Sequence, residues 1–265
     1  MSMSEKKARL ANSNDLFAAL SDQFYDGLRK AYITFYFDIS GSMQPHQAAL
    51  LQTAKATLKA LSDRNQTAED TEFLVRIVCF NNIVKVVNDA FLPPEQLLEL
   101  IDESTFCCDG GTNLTAIVNQ IDSDCSRNGA AFANKHTSDL QPFCILVTDF
   151  VGTDAESSRQ AAMNRLLNNQ LYVNKSQALC VFVGPDSQKK NVEALAGGAD
   201  RVIALESDLE RYLTPVIMGS TVQMSESTHL SMDSSSSIAE QVANRLDDGS
   251  SSASELEQQL KQLLS

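Results

Sequence analysis

Between residues 31 and 220, apolar runs of strand length alternate with stretches whose apolar positions recur at helical spacing. The segment 31–37 (AYITFYF) reads as a strand ended by Asp38. Pro45 suits the first turn of a helix running to about Leu61. The segments 73–80 and 83–87 read as two strands joined by a tight Asn81-Asn82 turn. Pro93-Pro94 opens a helix to about Glu103, and Thr112 opens another to about Ile121. The segment 143–148 (FCILVT) is apolar without alternation, as expected of a strand covered on both faces. A helix over 155–169, a strand over 178–183, a helix over 187–196, a strand over 201–205 and a helix over 207–218 complete the series. Strands alternating with helices, with one hairpin near the start, predict a doubly wound α/β fold. Its central sheet is mainly parallel with one antiparallel edge strand, and helices cover both faces.

The flanks read differently. Residues 1–30 form a helical extension in which Leu16, Phe17, Leu20, Phe24 and Leu28 recur at helical spacing. From 221 to 265 the chain becomes an acidic, Ser-rich linker with short helices, the last carrying Leu256, Leu260, Leu263 and Leu264. In this stretch Glu226, Asp233, Glu240, Asp247, Asp248, Glu255 and Glu257 outnumber Arg245 and Lys261 by five. Such a segment buries too little apolar surface to fold alone. Its leucines suit docking, on this domain, on a second copy or on another protein.

Composition narrows the function. A 265-residue chain with 43% hydrophobic residues supports one full α/β domain plus attachments. The net charge of −13 lacks the basic footprint of a nucleic-acid binder. The N-terminal stretch is polar rather than signal-like, and no run reaches the length of a membrane span, so a cytoplasmic location is expected. Cys79, Cys144 and Cys180 fall in expected buried strands. Cys107-Cys108 is a vicinal pair in a loop, read as two free thiols or as a redox pair. His46, four residues past Ser42, reads as a surface histidine of a first helical turn rather than a catalytic one; His136 and His229 lack a plausible nucleophile partner, and Asp109 reads as a solvated loop carboxylate or as added negative potential.

The candidate chemistry follows the strands, because ligands of open α/β sheets bind beyond the carboxyl ends, where the winding reverses. After the first strand comes Asp38-Ile39-Ser40-Gly41-Ser42, in which alternate residues face one way and Gly41 allows a close turn. After the apolar strand 143–148 comes Asp149, and between them lies Gly110-Gly111-Thr112-Asn113. Two carboxylates and three hydroxyls make an all-oxygen set suited to Mg²⁺, with Mn²⁺ or Ca²⁺ as alternatives. These side chains cannot fill an octahedron alone, so water or an incoming anion must complete it. Each residue taken singly is equally a capping residue, Thr112 a possible helix N-cap among them.

The set Asp38-Ile39-Ser40-Gly41-Ser42, Thr112 within Gly-Gly-Thr, and Asp149 resembles the metal-ion-dependent adhesion site of von Willebrand factor A (VWA) domains. The general layout resembles, more loosely, the small bacterial VWA proteins of tellurium-resistance-type and stress-response clusters. The resemblance implies that Ser40, Ser42 and Thr112 coordinate Mg²⁺ directly and that Asp38 and Asp149 act through bound waters. It also implies that a Glu or Asp of a partner protein supplies the sixth ligand. The family often places Gly after the late aspartate; here Phe150 stands there, which bears on the shape of that loop.

Three functions follow as expectations. The first is a metal-dependent protein-binding adaptor rather than an enzyme, in a signalling or stress-response assembly. The second is a Mg²⁺-dependent phosphohydrolase or phosphotransferase. Against it, Ser40 stands where the haloacid-dehalogenase pattern wants a second Asp, and no phosphate-binding loop or nucleophile elbow is present. The third is a structural subunit whose motif only steadies loops.

Overall fold

A computed structural model describes residues 29–67, 71–132, 143–170, 172 and 177–205. The expected N-terminal helix, the helix over 207–218 and the C-terminal segments lie outside these residues. The described strands are β1 (Arg29–Asp38), β2 (Thr71–Phe80), β3 (Val84–Val86), β4 (Phe143–Thr148), β5 (Gln177–Phe182) and β6 (Val202–Ala204). The helices are α1 (Gln47–Thr67), α2 (Pro94–Leu98), α3 (Leu114–Phe132), α4 (Glu156–Asn168) and α5 (Asp186–Ala196).

The sheet has the order β3-β2-β1-β4-β5-β6, with only β3 antiparallel, at the edge beside β2. The doubly wound sheet with one antiparallel edge strand is therefore present as the alternation predicted. After β1 the chain moves outward to β2 and β3, then returns to place β4 on the other side of β1. The winding thus reverses between β1 and β4, and the crevice beyond their carboxyl ends is the topological switch point.

Alternation along β1 divides the core between the two faces. Ile33, Phe35 and Phe37 pack with Leu50, Leu58 and Leu61 of α1 on one side. Tyr36 joins Val78, Leu146 and Phe182 under Leu114, Ile117 and Val118 of α3 and Met163 and Leu166 of α4 on the other. A sheet buried on both faces explains why 143–148 shows no polar alternation.

Three elements depart from the sequence reading. Pro45 lies inside a 3₁₀ turn, Gly41–His46, and the α-helix starts only at Gln47 and runs on to Thr67. The helix expected from Pro93-Pro94 to Glu103 ends at Leu98, because the Asp102 carboxylate collects the Thr105 N–H at 2.9 Å and the Ser104 hydroxyl at 2.7 Å, forming a separate turn. The third helix begins at Leu114, not Thr112, and extends past Ile121 to Phe132.

Candidate metal centre

The carboxyl end of β1 delivers Asp38 into the switch-point crevice, where it is fully buried. Its Oδ1 accepts the Ser40 N–H at 2.9 Å, and its Oδ2 accepts the Thr148 hydroxyl at 2.6 Å across the β1–β4 boundary. Burial pushes the Asp38 carboxyl up from 3.8 to about 6, against the lowering effect of these donors, and the Asp149 charge adds to the rise. Among the described residues no cationic side chain pairs with Asp38 or Asp149.

Ser40 sits at the N-cap position of the 3₁₀ turn yet makes no side-chain cap bond. Its hydroxyl lies 3.1 Å from that of Ser42 instead. The two-residue spacing thus does what the sequence predicted for this pair, and capping does not explain Ser40. Gly41 allows the close approach that joins this loop to the next: its N–H donates to Gly110 O at 2.9 Å, and a β-carbon on Gly41 would meet that oxygen at 3.0 Å.

Thr112 is buried in the loop before α3. Its backbone anchors it, with the N–H donating to Thr153 Oγ1 at 3.1 Å and the carbonyl accepting the Thr153 N–H at 2.9 Å. The capping role falls elsewhere. Asn113 Oδ1 accepts the Ala116 N–H at 3.0 Å, and the Asp154 carboxylate accepts the Leu114 and Thr115 N–H groups at 3.2 and 2.9 Å. The helix start is satisfied without the Thr112 hydroxyl.

Asp149 follows β4 and is buried, with Oδ1 accepting the Val151 N–H at 3.0 Å. Phe150 between them has φ +54°, a left-handed conformation that crowds a β-carbon. Its ring is buried in the core beneath α3 and α4, and that packing offsets the strain. The loop therefore takes the backbone shape a glycine would favour, with Phe150 in place of it.

The structure brings the Asp38–Ser42, Gly110–Thr112 and Asp149–Thr153 loops together through the Gly41–Gly110, Asp38–Thr148 and Thr112–Thr153 bonds. Supporting residues that the sequence reading passed over are Thr148, Thr153, Asp154 and Gly184. Thr148 carried a signal, being the polar end of an otherwise apolar strand. Gly184 carried none. A β-carbon there would fall 2.0 Å from Asp149 O, so only glycine lets the segment after β5 pass so close to the aspartate.

No protein-family model matches the chain, and no curated protein matches it. Solved structures do. A von Willebrand factor type A protein from Catenulispora acidiphila aligns at 17% identity and a TM-score of 0.51, over 75% of this chain and 43% of that one. The fold is that of a von Willebrand factor A domain. Proximal thread matrix protein 1 from the mussel byssus, in a form with a zinc-occupied MIDAS motif, aligns at 20% identity and a TM-score of 0.53, over 72% of this chain and 47% of that one. The PilB minor pilin from Streptococcus sanguinis gives 11% identity and a TM-score of 0.55, over 76% and 62%. The VWA-like chain spans 43–62% of the length of these three proteins, and at such identities the likeness concerns the fold.

Within this VWA fold, the donors fit a hard cation. A buried carboxylate whose charged form lacks a cationic partner sits beside two facing hydroxyls. Among the described residues no three His, Cys, Asp or Glu side chains form a metal-holding group, and the donors gathered around Asp38 are oxygens, which offer no soft ligation. The vicinal cysteines do not supply it: Cys107 is exposed, while Cys108 is buried with its thiol pushed up to about 12 by burial. Cys108 is therefore a protonated thiol, donating to Phe106 O at 3.6 Å, and not a thiolate. Among the described residues no helix is long and apolar enough to cross a membrane.

Proposed function

We propose that this chain is a Mg²⁺-dependent protein-binding module that grips a partner's carboxylate. Ser40, Ser42 and Thr112 hold the cation directly, and Asp38 and Asp149 act through bound water. The observation that carries the reading is the buried Asp38 carboxylate, which has hydrogen-bond donors but no cation among the described residues and lies beside the Ser40–Ser42 hydroxyl pair. A bound divalent ion would balance the charges of Asp38 and Asp149 and, with its sphere incomplete, keep a coordination position facing outward that can take an Asp or Glu. Mn²⁺ and Ca²⁺ share the oxygen chemistry. A zinc-occupied MIDAS in a mussel protein of the same fold supports a divalent ion at this position. The resemblance to small bacterial VWA proteins supports a place as a non-enzymatic cytoplasmic adaptor in a stress-response or signalling assembly.

The test is a pull-down from a lysate with the full chain as bait, run in parallel with Mg²⁺ and with chelator, beside calorimetric titration of Mg²⁺. Capture should require the metal, and Asp38→Ala should weaken Mg²⁺ binding by about 10- to 100-fold, as expected for a water-mediated partner of the ion. Capture that persists in excess chelator would contradict the reading.

A further inference from the structure

The loop that follows β4 is fastened at both of its ends. At the leading end Phe150 stands directly after Asp149, with a φ of +54° that disfavours any side chain. Its ring is nevertheless 1% exposed, within the cluster that α3 and α4 close over the sheet. The Phe150 N–H donates to Thr148 Oγ1 at 2.9 Å, and that same hydroxyl donates to Asp38. Glycine would take this backbone without strain, so burial of the ring is what holds the loop in its present form.

At the trailing end the loop grips the glycine loop and the start of α3. Thr153 Oγ1 accepts the Thr112 N–H at 3.1 Å, and the Thr153 N–H donates to Thr112 O at 2.9 Å. Asp154 accepts the Leu114 N–H on Oδ1 at 3.2 Å and the Thr115 N–H on Oδ2 at 2.9 Å, with the Thr115 hydroxyl on that second oxygen too. Packing between these points leaves no slack. A β-carbon on Gly152 would lie 2.7 Å from Leu114 Cδ1, and one on Gly111 would lie 2.5 Å from Thr153 Oγ1. Side chains already held in place bind a cation more tightly, because ordering them does not then oppose binding.

We infer that Phe150 and Asp154 are positioning residues of the candidate centre. Phe150 ties the Asp149 loop to the core, Asp154 ties it to the start of α3, and Asp149 and Thr112 meet the cation as one preformed unit. Neither positioning residue is itself a ligand. The inference rests on the metal-binding reading above and adds to it the two side chains that fix the geometry.

The test uses the full chain and two readouts: hydrogen exchange of backbone amides without metal, and calorimetric titration of Mg²⁺. In Asp154→Ala, exchange should quicken at Leu114 and Thr115, and also at Thr112 and Val151, whose amides are bonded to Thr153 and Asp149 instead. Mg²⁺ affinity should fall about tenfold. Asp154→Asn keeps an acceptor oxygen without the charge and should retain most of the protection and affinity. Phe150→Gly relieves the backbone, yet should quicken exchange at Val151 and weaken Mg²⁺ binding about tenfold. Phe150→Leu, with a smaller anchor, should weaken it about threefold and takes over the test if the glycine variant does not fold. Leu61→Ala controls for lost stability: it opens the core about 21 Å along α1 from Gln47 by the helical rise and should leave Mg²⁺ affinity unchanged.

Faster exchange confined to Leu114 and Thr115, with affinity intact, would make Asp154 a helix cap and overturn the inference. So would an Asp154→Asn variant that loses as much affinity as Asp154→Ala while Thr112 stays protected, since charge alone would then explain the loss. A wild type that takes up no Mg²⁺ sinks the metal reading and this inference together. Wild-type binding matched by every variant sinks this inference alone.

Discussion

Asp38 is stable only as a compromise. Its carboxyl titrates near 6, not 3.8, because burial opposes its charge more than Ser40 and Thr148 favour it. A folded-state value above the unfolded one means that the contribution of Asp38 to stability is fully present below about 3.8 and is lost as pH rises through about 6. The loss is at most on the order of 3 kcal/mol. In chelator, thermal melts of the wild type should therefore fall relative to Asp38→Asn between pH 4 and pH 7, and Mg²⁺ should restore the wild type alone, increasingly so as pH rises. A wild-type curve parallel to that of Asp38→Asn over this range would show that the carboxylate is already compensated by the protein. At this scale the sequence was informative about the oxygen atoms and silent about their supports. Asp38, Ser40, Ser42 and Asp149 are conspicuous because polar residues follow apolar runs, and Thr112 because it follows a glycine pair. The bond from Thr148 to Asp38 spans 110 positions in the chain, and the closeness of Gly184 to Asp149 depends on backbone paths that no local pattern encodes.

At the scale of elements, the length of α3 shows what a hydrophobic pattern hides. The sequence reading ends this helix near Ile121, just before the polar Ser123, Asp124 and Ser126. Asp124 is in fact buried, taking Arg76 Nη1 at 2.5 Å, the Tyr36 hydroxyl at 2.9 Å and Gln120 Nε2 at 2.9 Å. Arg76 is itself 1% exposed, in the middle of β2. A polar letter with buried partners breaks the periodicity without breaking the helix. Arg76→Met should destabilise the domain by about 3–5 kcal/mol in urea unfolding, since it removes the buried cation from a buried carboxylate and leaves it only the half-exposed Arg127 at 3.3 Å. Arg76→Met with Asp124→Leu should recover much of that loss, and equal losses for single and double variants would refute the pairing account. The strands were more legible, because continuous apolar runs such as 143–148 admit few alternatives when bounded by turns.

For the whole molecule, the alternation of strands and helices with one early hairpin was enough to specify a mostly parallel sheet with an antiparallel edge. It did not specify that β4 lies beside β1, which is what brings Asp38 and Asp149 together. That neighbour relation comes from long-range pairing and from the two-sided core. The five donors of the candidate centre all lie between Asp38 and Asp149, ahead of the acidic segment from 221 onward. A chain ending at Ser220 is therefore expected to bind Mg²⁺ with the affinity of the full chain in calorimetric titration, and a marked loss would assign the segment a part in the centre itself.

Because β1, β2, β4, β5 and β6 run the same way, the chain enters the sheet at Arg29 on the edge remote from the loops and leaves β6 on the loop edge. Polarity of the strands thereby fixes which way the molecule faces when tethered. An anchor directly ahead of Arg29 would turn the loops of the candidate centre toward the surroundings. An anchor directly after Leu205 would start on the same edge as those loops, so immobilised assays should be built from the leading end.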